Sequence, residues 1–331
     1  MNANSNAPEI KIGTPQAAEE LLTDLYVRLR RDLQRWALVT KQTPQPRMGY
    51  VGQHLVSVVT GHPGSRSGAR GDDLQLDDGT VAEIKCCYRV DQLGACIKCG
   101  TAVASIEKIC PNAACGSREL TRKDDSKWLL SPKSEKELEE LFVPTAYYLV
   151  LFEFSDLQAA EDIDVFIYRV DPNSLGFSLC MIDYFFNIRA NSKSGAPFNL
   201  WPDSPKFHLM RPELIYWSII KPDDSIDTRI FPGRDPAQLQ EFGDFTGLAG
   251  AKTISDDAIV ALGKAMGVDV SVVGKELPRA KMRFAKLKAL QEVREKDGWS
   301  AIEVADQLAR AVYRPLLVKL ASWTDRFSPT L

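Results

Sequence analysis

The sequence predicts an α/β fold, with a mixed central sheet flanked by helices, a small cysteine-bearing insertion and a helical C-terminal region. Three observations carry this expectation. An amphipathic repeat opens the chain, with Ala18, Leu21, Leu22, Leu25, Leu29, Leu33 and Trp36 at three-to-four spacing. Two apolar runs, "TAYYLVLFEF" (145–154) and "IDVFIYRVDP" (163–172), have the length and aromatic content of neighbouring strands buried in a sheet. Beyond "GLAGAKTIS" the pattern is helical to the end, with Ser300 and Glu303 spaced as a capping box.

The elements follow in order. Thr14-Pro15 reads as the N-cap and first-turn proline of the opening helix. After the break "KQTPQPRMG", the segment "YVGQHLVSVVTG" suggests a shorter helix, and "HPGSRSGARG" a glycine-rich loop. A hairpin, a cysteine cluster and a charged helix around "SEKELEELF" come before the two apolar strands. From about residue 172 to 250 the text is proline-rich, and only short helices and strands can be assigned.

Composition narrows the function classes. The 331 residues, 44% apolar and 26% charged, are ordinary for a globular protein with a sizeable core. A formal charge of −3 argues against coating nucleic acid by bulk electrostatics, while leaving room for local patches. One such patch lies between Lys275 and Lys296, where eight basic residues face three acidic ones. There is no apolar run long enough to span a bilayer, and "MNANSNAPEIKIG" has no apolar segment of a secretory signal. No membrane association and a cytoplasmic location are therefore expected. No G-x4-GK-[ST] occurs, so ATP-driven translocation is not encoded. His54, His62 and His208 form no H-x3-H or H-x-E pattern, too few ligands for a histidine-based catalytic zinc site.

The stretch "RGDDLQLDDGTVAEIKCC" (70–87) carries the chemistry. It reads as strand, turn and strand, closed by Asp77-Asp78-Gly79. A three-residue loop sets Asp73 opposite Glu83, with Lys85 on the same face and Ile84 and Asp72 pointing the other way. A two-residue loop would instead bring Asp72 forward. Like charges directly opposite destabilise a sheet, and a divalent cation removes that penalty. Two carboxylates and the Ile84 carbonyl would hold Mg²⁺ with open positions, and Lys85 would orient or deprotonate an attacking water.

The spacing "GDD", "LQLDDGTVA", "EIK" resembles the PD-(D/E)XK nuclease signature, with Gly71 and Asp72 where the family has proline. The upstream helix of that superfamily often carries a glutamate, and here Gln53 stands at that place. The resemblance implies a PD-(D/E)XK core.

Six of the seven cysteines fall between Cys86 and Cys115. Cys96 and Cys99, then Cys110 and Cys115, form C-x2-C and C-x4-C, each pair followed by glycine. Four thiolates at this spacing suit a structural tetrahedral Zn²⁺ site in a ribbon at about 94–118. Placed directly after the hairpin, the ribbon can brace the site or touch DNA through Lys98, Arg118, Arg122 and Lys123. Cys86, Cys87 and Cys180 read as buried small hydrophobes. In "LGKAMGVDVSVVGKEL" (262–277), Gly263, Gly267 and Val273 are spaced as in a helix-turn-helix, the alternative being a helical subdomain that packs or dimerises.

As a set, "GYVGQHLVSVVTG", "GARGDDLQLDDGTVAEIKC" and "YRVDQLG" with the four-cysteine ribbon resemble the MamI-type Type II restriction endonucleases, most firmly between residues 48 and 170. This implies a homodimer that cuts double-stranded DNA at an interrupted palindrome of the GATNNNNATC kind, dependent on Mg²⁺, with a companion methyltransferase that protects the same site. Carried over by residue, Asp73 and Glu83 would hold the metal and Lys85 would serve the water, with Gln53 beside them. The expected division is a nuclease domain over residues 1–250, containing the zinc ribbon, and a helical region over 251–331. Two other readings stay open: a structure-specific repair nuclease of the same superfamily, and a zinc-ribbon DNA-binding regulator whose acidic hairpin is only surface.

Overall fold

The computed structural model describes residues 10–65, 73–88, 94–104, 106–121, 128–154, 162–190, 199–200, 207, 209–231 and 256–313. Its first helix starts as the sequence leads one to expect. The Thr14 hydroxyl accepts from the Ala17 amide at 3.3 Å, and Pro15 occupies the first turn, where an N–H would have no helical partner. The helix runs through α1 (Pro15–Leu22), a π-helical turn (Thr23–Val27) and α2 (Arg28–Thr40), and ends where Lys41 adopts φ 58°. After the proline break comes α3 (Met48–Thr60), closed by Gly61 at φ 78°.

The strands then begin with β1 (Leu74–Gln75) and β2 (Val81–Tyr88). A ribbon of β3 (Gly94–Cys96), β4 (Ala102–Val103) and β5 (Leu120–Thr121) follows, then β6 (Trp128–Leu129) and α4 (Glu135–Glu140). The two apolar runs become β7 (Ala146–Phe154) and β8 (Ile163–Val170), paired antiparallel from Tyr147 opposite Val170 to Phe154 opposite Ile163. Next come α5 (Leu175–Asp183), β9 (Asn199–Leu200), β10 (Glu213–Ile220) and β11 (Ile226–Ile230). The C-terminal helices are α6 (Asp256–Ala265), α7 (Arg279–Asp297) and α8 (Ala301–Leu308). The capping box is formed, with the Glu303 amide donating to Ser300 Oγ at 3.2 Å and the Ser300 amide donating to the Glu303 carboxylate at 2.8 Å.

The principal sheet has the order β1-β2-β7-β8-β10-β11. Only β2 and β7 are parallel, and the connection between them carries the ribbon, β6 and α4. Alternation along β7 sends Tyr148, Val150 and Phe152 into a core with α1 and α3, and Tyr147, Leu149 and Leu151 into a second core on the other face. Burial on both faces is why β7 reads as a continuous apolar run. Behind it, the Trp128 indole donates to the Val150 carbonyl at 2.8 Å, which satisfies the one polar group of a fully buried side chain.

The second core joins the sheet to the C-terminal helices: Leu149, Leu151 and Tyr168 lie in one buried cluster with Ile259, Leu262, Leu287, Leu290 and Leu308. The division expected near residue 250 lies outside the described residues, and the chain on either side of it contributes to one core. Within the basic run, Lys286 is buried and its ammonium sits 3.2 and 3.3 Å from the Asp256 carboxylate oxygens, so it belongs to the packing of α7 on α6 and not to a solvated face. The helix-turn-helix expectation is not met as a three- or four-residue turn between helices. Gly267 does take φ 80° after α6, but residues 271–276 form successive turns and α7 begins only at Arg279. Gly263 instead serves close packing, since a Cβ there would lie 2.8 Å from Val270 Cγ2.

The region left loosely assigned contains an orderly hairpin: β10 alternates half-buried and buried residues along its length and pairs with both β8 and β11. Helix α5 packs so closely on the following segment that a Cβ on Gly176 would fall 1.8 Å from the Leu209 carbonyl oxygen. Backbone cannot yield as a flexible side chain does. Gly176→Ala should therefore lower the unfolding free energy by about 3 kcal/mol or more, read by urea denaturation; an unchanged midpoint would contradict the close approach.

Candidate functional site

The hairpin sets the geometry. Leu74 pairs with Ala82 and Gln75 with Val81, the register of a three-residue loop. Gly79 supplies φ 80°, and Asp78 accepts from the Thr80 amide at 2.9 Å and hydroxyl at 2.5 Å, bonds that hold its carboxyl below the usual carboxylate range. Asp77 and Asp78 thus belong to the turn. One step further, the register sets Asp73 opposite Glu83. Asp72 lies outside the described residues.

Asp73 stands just before β1, and its carboxylate completes the ladder that the short strand leaves unfinished. Oδ2 accepts from the Ile84 amide at 2.9 Å, and Oδ1 from the Gln53 side-chain amide at 2.7 Å. The Asp73 carboxylate thus lies at the fork between β1 and β2, reached from α3. Glu83 and Lys85 share one side of β2, carboxylate bonded to ammonium, while Ile84 packs into the core under α3. Glu83 is only 8% exposed, and its Oε2 is buried with no hydrogen-bond partner among the described residues. Lys85 meets the charge of this carboxylate, and the second oxygen keeps acceptor capacity that a bound cation would use. Gln53, Asp73, Glu83, Lys85 and the Ile84 backbone are thus within one small region.

A residue that sequence reasoning passed over explains how α3 reaches this fork. A Cβ on Gly52 would lie 2.8 Å from Cys86 Cβ and 3.0 Å from its Sγ, so glycine lets the helix lie directly on β2 and carries Gln53 to Asp73. The signal was the small residue inside an apolar helical face. Cys86 is the partner in this contact and its burial pushes the thiol pKa up; Cys87 and Cys180 are buried core, as expected. Gly52→Ala should cost about 1–3 kcal/mol of stability and draw Gln53 off Asp73. Calorimetry beside an activity measurement checks this, and loss of neither would contradict it.

The ribbon brings its four thiols together. Cys96 Sγ lies 3.7 Å from Cys115 Sγ and Cys99 Sγ 3.5 Å from Cys110 Sγ, with all four sulfurs within 4.8 Å of one another. A tetrahedron with bonds of about 2.3 Å has edges of about 3.8 Å, so the donor set fits a four-thiolate ion. Gly100 and Gly116 turn the two knuckles at φ 71° and 54°. Thr101, through its hydroxyl and amide, lowers the Cys99 thiol to about 6, whereas desolvation, with the neighbouring sulfurs, pushes Cys110 up to about 12. The remaining core of the ribbon is small, with Val103 buried among Cys96 and Cys110. Lys98 pairs with Glu119 at 3.3 Å and Arg118 is exposed; Arg122 and Lys123 lie outside the described residues. His62 sits 3.3 Å from Asp77, and His208 is outside the described residues. Among the described residues no helix is long and apolar enough to cross a membrane.

Comparison with known proteins bears on the same region. The family described as MamI restriction endonuclease matches over residues 35–239, which spans α3, the hairpin, the ribbon and the sheet. The Type II restriction enzyme MamI of Microbacterium ammoniaphilum is 43% identical over 56 residues, 17% of this chain and 18% of that protein, so the aligned part spans about a fifth of the curated relative. No solved structure matches. With the family match covering more than half its length, the chain belongs to the MamI restriction endonuclease family.

Proposed function

We propose that this protein is a Type II restriction endonuclease that hydrolyses phosphodiester bonds of double-stranded DNA, with Asp73, Glu83 and the Ile84 carbonyl holding Mg²⁺. The observation that carries the reading is Glu83, buried opposite Asp73 with no hydrogen bond to its Oε2 among the described residues, so that two carboxylates stand at one fork. Mg²⁺ favours one or two carboxylates and keeps water and phosphate in its other positions, which suits this fork. When bound, it would neutralise charge on the phosphate and lower the pKa of a coordinated water.

The chain's own groups divide the remaining work. Gln53 and the Ile84 amide fix both oxygens of Asp73, so the carboxylate is oriented before substrate arrives. Lys85 holds its ammonium beside Glu83, where it can position the attacking water and offset negative charge developing on the phosphate oxygens. Attack forms one P–O bond and breaks the P–O3′ bond, leaving a 5′-phosphate and a 3′-hydroxyl that takes up a proton. In the ribbon, Cys96, Cys99, Cys110 and Cys115 would hold a structural Zn²⁺ that leaves no open position. Family membership supports the finer expectations: a homodimer, since an interrupted palindrome of the GATNNNNATC kind requires two active sites related by a two-fold axis, and a companion methyltransferase.

The test is a digest of phage DNA with and without Mg²⁺, followed by end sequencing. Discrete fragments with 5′-phosphate ends at one recurring sequence are expected. Cutting only at branches or free ends would favour a repair nuclease, and specific binding without cleavage a regulator; either result removes the proposal.

A further inference from the structure

The helix that supplies Gln53 also presents a second set of side chains to solvent. Arg47, at the N-cap of α3, and Tyr50 and His54 within it are exposed, Tyr50 to 62%. Their spacing of three and four residues puts them on one stripe of the helix surface. Gln53 lies on the neighbouring flank, the flank that meets Asp73. The opposite face of α3 is committed to the core: Met48, Val51, Gly52, Leu55, Val56 and Val59 are all buried. The outward stripe combines a guanidinium, an aromatic ring and an imidazole, side chains that meet phosphate, sugar and base.

Resting on the nuclease reading above, we propose that this stripe is a track for the DNA strand being cut, and that Arg47 and Tyr50 position the duplex over the fork. Three arguments support duplex DNA as the occupant. The stripe is continuous with the reacting site through Gln53, one helical step away. Its charge complements a polyanion, since Arg47 is cationic and the imidazole of His54 donates a hydrogen bond in either protonation state. Its reach matches: seven residues of helix rise about 10 Å, roughly three nucleotides of one strand at about 3.4 Å each. A strand whose scissile phosphate lies between Asp73 and Glu83 therefore passes Tyr50 and Arg47 within its next few nucleotides. Arg47 takes a phosphate, and the Tyr50 ring packs on a sugar or base while its hydroxyl remains wet.

The experiment measures binding apart from cleavage. Fluorescence anisotropy with a labelled linear duplex, in a Glu83→Ala background and across a salt series, reads affinity and the slope of log affinity against log salt. Arg47→Ala should weaken binding roughly tenfold and make the slope shallower by about one phosphate contact. Tyr50→Ala should weaken binding with little change in slope, and Tyr50→Phe should restore most of it. Arg28→Ala, on the exposed face of α2, is the control and should leave the slope unchanged. The proposal fails if Arg47→Ala binds with the parental affinity and slope, or if Arg28→Ala changes the slope as much. Because binding is read without cleavage, an inactive parent would count against the nuclease reading and leave the Arg47 and Tyr50 comparison intact.

Discussion

Glu83→Gln should lower the rate of Mg²⁺-dependent plasmid cleavage by about a thousandfold, and Lys85→Ala should do the same, while both variants bind duplex DNA almost as well as the parent. The two losses have different causes. Glutamine keeps the size of Glu83 but removes the negative charge that the buried site offers a cation. Alanine at 85 leaves the carboxylates in place and removes the ammonium beside them. A second readout separates binding of the ion from chemistry. Mg²⁺ should raise the thermal midpoint of the parent and of Lys85→Ala, because a ligand that binds only the folded state stabilises it, and should leave the midpoint of Glu83→Gln unmoved. Cleavage by Glu83→Gln at the parental rate would remove the site assignment altogether.

The second large effect belongs to the ribbon. Metal analysis of the purified chain should find zinc held by the four thiolates, and Cys99→Ser or Cys110→Ser should release it. The consequence is expected to be local unfolding. With so small a core between β3, β4 and β5, burial alone contributes little, whereas structural zinc in finger peptides contributes on the order of 10 kcal/mol. Hydrogen exchange should then show residues 94–121 losing protection in the variants while β7 and β8, buried on both faces, keep theirs. Retention of full protection across the ribbon after chelation would show that the cysteines pack without metal. Activity is informative too: the ribbon follows β2 directly, so its unfolding loosens the strand that carries Glu83 and Lys85.

Much of this architecture could be read from local chemistry. Thr14-Pro15, Ser300 with Glu303, and Asp78-Gly79 each determine a turn or helix start through bonds between residues only two or three apart, and the structure forms all of them. The spacing of the cysteines works in the same way, since the knuckle glycines and four sulfurs define one small polyhedron. The hairpin register was legible for a related reason: a three-residue loop with glycine in the left-handed region leaves one pairing. Where local signals misled, a longer-range contact had decided the outcome. Gly263 and Gly267 have helix-turn-helix spacing, but Val270 and Leu290 packed around Gly263 direct the chain into turns before α7 begins. Strands β10 and β11 were hidden by flanking prolines; the alternation along β10 reflects one face of the sheet more deeply buried than the other, with β8 paired on one edge of β10 and β11 on its other edge.

The sequence by itself determined the turn and the register that sets Asp73 opposite Glu83, because alternation and turn geometry act over a few residues. What only the tertiary structure decided is how Asp73 is held, through the Gln53 amide across twenty residues of chain and the Ile84 amide across eleven. It also decided that Glu83 would be buried, with one oxygen unsatisfied, against the parallel strand β7. The hold on Asp73 depends on α3 lying flat on β2 at Gly52, a close approach between helix and sheet that no local pattern encodes.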